Sequence, residues 1–160
     1  MILRHLKATD REAFEKLLDE WDDSPGFNML YGLIEVVAFS SYLKVLEAMR
    51  DDLSCLYAFV GDEIVGKANV RHHLNKHLEN LGGHIGYGVL NHQRKKGYAT
   101  EILKQALDYC RELGLDRVLI TCDENNIGSC KVIERNGGVL ENLFDPKDGS
   151  SLKKRYWINL

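Results

Sequence analysis

The chain has little that would staple it, thread it through a bilayer or stretch it into a linker. Its four cysteines, Cys55, Cys110, Cys122 and Cys130, include no Cys-x-x-Cys pair, and each sits inside an apolar strand or helix pattern. That usage reads as reduced, buried thiols and argues against a disulfide framework or a zinc site, so no metal is expected. There are only two prolines, and neither an internal repeat nor a low-complexity stretch interrupts the chain. No apolar run approaches the roughly 20 residues that cross a membrane. The first six residues, Met1-Ile2-Leu3-Arg4-His5-Leu6, lack a secretory apolar segment, which makes a cytoplasmic protein without a membrane partner the expectation. A formal net charge of −3 removes the general electrostatic argument for a nucleic-acid partner.

What is present suits one folded unit. At 160 residues, 44% hydrophobic and 28% charged, the chain is long enough for one well-buried core and short for two, so a single domain over 1–160 is expected. Residues 2–7 alternate weakly as a strand. Thr9-Asp10-Arg11-Glu12 then reads as a capping box opening a helix with Phe14, Leu17, Leu18 and Trp21 on its apolar face, stopped by Ser24-Pro25-Gly26. A second helix is predicted over 33–49. Apolar runs at 55–60 and 63–70 flank Gly61-Asp62, a hairpin signal. Residues 72–80 read as a polar loop, 83–90 as a strand, 97–113 as an amphipathic helix stopped at Leu113-Gly114 and 117–122 as a buried strand. A short helix over 126–136 precedes a hairpin whose strands are 139–144 and 152–158.

The richest segment is Gly86-Tyr87-Gly88-Val89-Leu90-Asn91-His92-Gln93-Arg94-Lys95-Lys96-Gly97-Tyr98-Ala99-Thr100. A strand here delivers a basic, glycine-containing turn to a helix start, where free backbone N–H groups and the positive end of the helix dipole converge beside Arg94, Lys95 and Lys96. That is the composition of a pyrophosphate site. A nucleotide in the same turn is disfavoured, because the sequence has no Gly-x-x-x-x-Gly-Lys-Ser/Thr loop and no acidic partner for magnesium beside it.

With the elements in this order, the chain resembles the GNAT superfamily of acyl-CoA-dependent N-acetyltransferases. Arg94-Lys95-Lys96-Gly97-Tyr98-Ala99 is similar to that superfamily's Gln/Arg-x-x-Gly-x-Gly/Ala signature, and Asn126-Ile127-Gly128-Ser129 to its Asn-x-x-Ala/Ser helix start. The resemblance implies an α/β (α+β) fold: a mixed, mostly antiparallel sheet of about seven strands with a central splayed parallel pair, flanked by about four helices. It implies acetyl-CoA as co-substrate, bound by Val89, Leu90, Arg94, Lys95, Lys96, Gly97, Tyr98, Ala99, Thr100, Asn126 and Ser129. The pantetheine amides would pair with the backbone near Val89, and an amine on a small molecule or peptide would attack the thioester directly. A noncatalytic acyl-CoA-binding module is the alternative. A homodimer through the last strands is a further implication, with 152–158 as an ordinary edge strand the competing reading.

Two roles depart from the pattern. The tyrosine that many relatives place seven residues after the motif asparagine is Ile133 here, which has no proton to give; Tyr98, Tyr156 and Cys130 are the chemical substitutes. For the general base the candidates are His84 and His72, chosen for an ordinary pKa near neutrality from a group that also holds His73 and Glu79. Lys95 stands where many relatives carry glycine. The acidic run Asp19, Glu20, Asp22 and Asp23 is either a solvated helix end or an attractor for a cationic amine.

Overall fold

The computed structural model describes residues 1–20 and 38–160. Among the described residues seven strands and five α-helices follow one another as β1 (Ile2–Arg4), α1 (Arg11–Glu20), α2 (Phe39–Ala48), β2 (Leu53–Val60), β3 (Glu63–Arg71), α3 (Lys76–Leu81), β4 (Ile85–Val89), α4 (Tyr98–Glu112), β5 (Arg117–Asp123), α5 (Ile127–Arg135), β6 (Val139–Phe144) and β7 (Lys153–Asn159). The expected residues Trp21, Asp22 and Asp23, the Ser24-Pro25-Gly26 stop and the first part of the 33–49 helix lie outside the described residues. Among the described residues no helix is long and apolar enough to cross a membrane.

The fold is the α/β one expected, seven strands flanked by helices, with the strands divided between two antiparallel sheets. One sheet has the order β1-β2-β3-β4 and the other β5-β7-β6. Their facing edges, β4 and β5, share no ladder; a single bridge of antiparallel type joins Gly83 to Ile120. The cause is local. Gly83 has φ +64°, and a Cβ there would lie 2.5 Å from the Leu119 carbonyl oxygen, a close approach that only glycine allows. The His84 N–H then donates to the Leu119 carbonyl at 2.7 Å, while the Leu119 N–H donates to His84 Nδ1 at 2.9 Å. An imidazole thus takes the place of the backbone carbonyl that would continue the ladder. β7, read as a candidate edge strand, is the middle strand of its sheet, and β6 is the edge.

The four-stranded sheet separates two apolar clusters, and strand alternation sorts its residues between them. Leu56, Ala58, Ala68, Val70, Ile85 and Val89 pack with Ile102, Leu103, Ala106 and Cys110 of α4. Cys55, Tyr57, Phe59 and Ile64 pack with Phe14 and Leu17 of α1 and Tyr42 and Leu46 of α2. Below this second cluster, Asp10 accepts from Arg4 at 2.7 and 3.0 Å and from the Lys7 N–H at 2.7 Å. The guanidinium holds the Asp10 carboxyl below its usual range. A short 3-10 turn over Ala8–Asp10 therefore precedes α1, with Asp10 the residue that ties down its start. The predicted polar loop at 72–80 contains α3, because the Asn75 side chain accepts from the Leu78 N–H at 2.9 Å and caps a helix there.

Candidate functional site

A cavity of about 840 Å³ opens where β4 and β5 are not laddered, and both strands and the first turns of α4 and α5 line it. One wall is a sheet edge. The β3–β4 register pairs Gly66 with Val89 and Ala68 with Tyr87, and the Leu90 N–H donates to the Val65 carbonyl. In an antiparallel ladder these alternate pairs direct their own N–H and C=O groups away from the partner. The backbone groups of Tyr87 and Val89 thus face the cavity, where an extended ligand can add as a strand; the Val89 carbonyl accepts from Arg94 Nε at 3.4 Å, while its N–H is directed into the cleft.

The basic turn forms the next wall. Arg94 is extended, Lys95 is left-handed at φ +63°, Gly97 is left-handed at φ +86°, and α4 starts at Tyr98. Lys95 therefore adopts a glycine-like conformation despite its side chain, at a cost of about 1 kcal/mol. This alternation turns successive N–H groups toward one side. Among the described residues the backbone N–H groups of residues 95–99 have no acceptor, whereas those of Thr100 and Glu101 both donate to the Gly97 carbonyl. The result is an anion cradle on the N-terminus of a 15-residue helix. A Cβ at Gly97 would meet nothing within 4 Å, so the space in front of the turn is open.

The third wall is the β5–α5 connection. The Asn126 side chain caps α5 by accepting from the Ser129 N–H at 3.0 Å, and the Tyr87 hydroxyl donates to the Ser129 carbonyl at 3.4 Å. At the far end of the helix the Asn136 amide donates to the Val132 carbonyl at 2.9 Å and to the Thr100 carbonyl at 3.2 Å, tying α5 to α4. The lining carries Arg71, Arg94, Lys95, Lys131, Arg135 and Lys153 against one carboxylate, Asp123. That carboxylate is paired with Lys153, so the cavity presents a net positive wall.

Of the sequence-derived ligand residues, Val89, Leu90, Arg94, Lys95, Gly97, Tyr98, Ala99, Thr100, Asn126 and Ser129 line this one cavity. Lys96 does not: its ammonium is turned to the Gln93 side-chain oxygen at 2.7 Å. Neither histidine lines it. His72 has both ring nitrogens engaged, 2.9 Å from the Asp51 carbonyl and 2.9 Å from the Ser54 hydroxyl. His84 accepts the Leu119 N–H on Nδ1, which puts its proton on Nε2, and burial lowers its pKa. Both rings act as struts in this arrangement. Ile133 is wholly buried in the α4 core. Of its chemical substitutes only Tyr98 lines the cavity; the Tyr156 hydroxyl is turned to Glu134 at 3.1 Å, and Cys130 is buried.

Sequence reading missed Arg71, Lys131, Arg135 and the Asp123–Lys153 pair on the lining, because each is an isolated charge in an ordinary pattern. It also passed over Lys67 and Asn69. They are two residues apart on β3, on the face of Cys55 and Tyr57, and are fully buried. Burial lowers the Lys67 pKa to about 8, and the Asn69 Oδ1 has no hydrogen-bond partner. Two polar residues at strand spacing inside an apolar run were the available signal.

The family model described as Acetyltransferase (GNAT) domain matches residues 1–139. A GNAT-family acetyltransferase from Streptococcus pneumoniae superposes with a TM-score of 0.72 at 16% identity, covering 99% of each chain. A spermidine N-acetyltransferase chimera from Vibrio cholerae and the human enzyme gives 0.69 at 17% identity, covering 99% of this chain and 96% of its own. The RimJ protein of Mycobacterium smegmatis, in complex with CoA-disulfide, gives 0.67 at 22% identity, covering 98% of this chain and 80% of its own. At these identities the likeness is one of fold. No curated protein sequence matches significantly.

Proposed function

Because this chain belongs to the acetyltransferase (GNAT) family and is an acyltransferase, we propose that it transfers an acetyl group from acetyl-CoA to a primary amine in a ternary complex, without an acyl-enzyme. The observation that carries this reading is the free N–H cradle over residues 95–99, set in a cationic cavity beside an unpaired strand edge. A pyrophosphate satisfies the cradle. Arg94 and Lys95 add charge beside it, and the Asn126–Ser129 start of α5 holds the pantetheine arm from the other side. The amides of that arm match the cavity-facing backbone groups of Tyr87 and Val89.

The remaining chemistry needs little from side chains. The amine nitrogen attacks the thioester carbonyl while the Val89 N–H stabilises the developing oxyanion. The carbon–sulfur bond then breaks, and CoA leaves as a thiolate that water or Tyr98 protonates. The nitrogen loses its proton to water in the cleft, since His72 and His84 are held as struts outside it. A small amine, peptide or protein terminus is the acceptor class, and the spermidine N-acetyltransferase among the similar structures supports an amine. A single domain over 1–160 and a cytoplasmic location belong to the same reading. So does a homodimer, supported by edge strand β6, which exposes Val139, Leu140 and Leu143.

Isothermal titration with acetyl-CoA, with CoA and ATP as controls, tests the donor, and thiol release across amine pools tests the transfer. Micromolar binding of both CoA species with amine-dependent release is expected. Binding without release from any pool would reduce the protein to a binding module, and absence of binding would remove the reading of the turn.

A further inference from the structure

Two of the four thiols are not solitary. Cys122, sixth residue of β5, and Cys130, in the first turns of α5, hold their sulfurs 3.7 Å apart, whereas Cys55 sits in the α1–α2 core and Cys110 in the α4 core. Cys122 lines the cavity; Cys130 lies behind it. The ammonium of Lys154 is 3.7 Å from the Cys130 sulfur, brought there because the β5–β7 register sets Lys154 opposite Cys122. The pair has access from the cleft on one side and an electrostatic partner on the other.

We propose that Cys122 and Cys130 form a dithiol oxidation site, closed to a disulfide by hydrogen peroxide entering through the cleft and reopened by thiols, and that closure weakens CoA binding. The Cys122 sulfur attacks the peroxide; the O–O bond breaks, the sulfur becomes a sulfenic acid, and the departing hydroxide takes the thiol proton and leaves as water. The Cys130 sulfur then attacks Cys122, its developing charge facing Lys154. The S–O bond breaks and a second water carries off the Cys130 proton. Two thiols are oxidised and one peroxide is reduced to two waters. Burial pushes the Cys122 thiol up to about 12, so its thiolate is scarce at neutral pH. Closure is therefore slow, a response to sustained oxidant.

The geometric consequence follows from bond length. A disulfide needs its sulfurs about 2 Å apart, closer than the 3.7 Å of the reduced pair. Closure draws the first turn of α5 onto β5, and that turn carries Asn126 and Ser129 of the cavity wall. The bond itself does not depend on the acyl-CoA reading; its effect on affinity does.

The test treats the full chain with millimolar hydrogen peroxide, follows intact mass and digests, and titrates CoA before and after. The expected result is loss of two hydrogens, a crosslinked peptide joining Cys122 to Cys130, reversal by dithiothreitol, and CoA affinity about tenfold weaker in the oxidised form. C130S should bind CoA like the reduced protein and keep that affinity after peroxide. Stoichiometric capture of phenylarsine oxide by the unoxidised wild type, lost in C122S and in C130S, reads the same pair without oxidation. Sulfinic or sulfonic acid on either sulfur in place of a crosslink, or a crosslink to Cys55 or Cys110, would overturn the proposal. A crosslink with unchanged CoA affinity would overturn its second half. CoA binding in neither form would count against the donor reading and leave the site standing.

Discussion

The two ends of β4 make opposite use of their backbone. At the start, Gly83 and His84 are sealed against β5: backbone and side chain of His84 both bond Leu119, and the region is buried. Past the other end the chain leaves the sheet, and the N–H groups of residues 95–99 are bonded to nothing among the described residues. A strand closed at one end and open at the other makes a wedge, and the wedge is the cavity. The lesson is that polar groups are satisfied where the wedge is narrow and left open where it is wide, which is the arrangement a ligand site needs.

Substitutions at each end should separate binding from stability. The largest effect is expected from Gly97→Asp, which sets a carboxylate in front of the cradle and a side chain at φ +86°. CoA affinity should fall by about a hundredfold or more, read by titration on a variant whose far-ultraviolet circular dichroism matches wild type; retained affinity would detach the ligand from the turn. Next is His84→Ala, which leaves the buried Leu119 N–H without its acceptor and should cost about 1–3 kcal/mol in urea unfolding. CoA affinity should change far less. A collapse of binding with intact stability would reverse the assignment of the two ends.

A finer separation comes from pH. Burial lowers the His84 pKa, so below about 6.5, the ordinary value, the unfolded chain takes up a proton that the folded chain resists. Stability contributed by the neutral ring is present above that pH and is lost as pH falls further. His84→Asn offers an acceptor oxygen that does not titrate; it should restore most of the loss seen in the alanine variant and flatten the acid limb. A slope should persist, because burial lowers His5 as well. The smallest effect is expected from Lys96→Ala: the ammonium points to Gln93 and away from the cavity, so CoA affinity should stay within about twofold. A tenfold loss would mean that the turn rearranges around its ligand.

Much of the open end was legible because its signal is local. Arg94 to Thr100 carry glycine, charge and a helix start in consecutive positions, and ten of the eleven proposed ligand residues line one cavity. The Lys96 ammonium is turned to Gln93, a direction that spacing does not carry, while its backbone N–H belongs to the cradle. The closed end was not legible, since His84 is opposed by a backbone amide 35 residues away and nothing in a strand pattern marks an imidazole that will replace a carbonyl. The parting of the strands into two sheets was hidden for the same reason. α3 was lost in a polar run whose single clue, Asn75 ahead of Leu78, has the ordinary look of a loop. The cysteine pattern argued for buried thiols, which the structure bears out, but could not tell a pair from two singles.

The Asn136 amide has a consequence of its own. Bonded to Val132 in its own helix and to Thr100 at the head of α4, it fixes α5 at one end and leaves the other on the cavity wall. A nine-residue helix rises about 13 Å, so one amide at its foot and the Tyr87 hydroxyl at Ser129 near its head hold α5 at both ends, and two side-chain contacts fix the width of the cleft between α4 and β4.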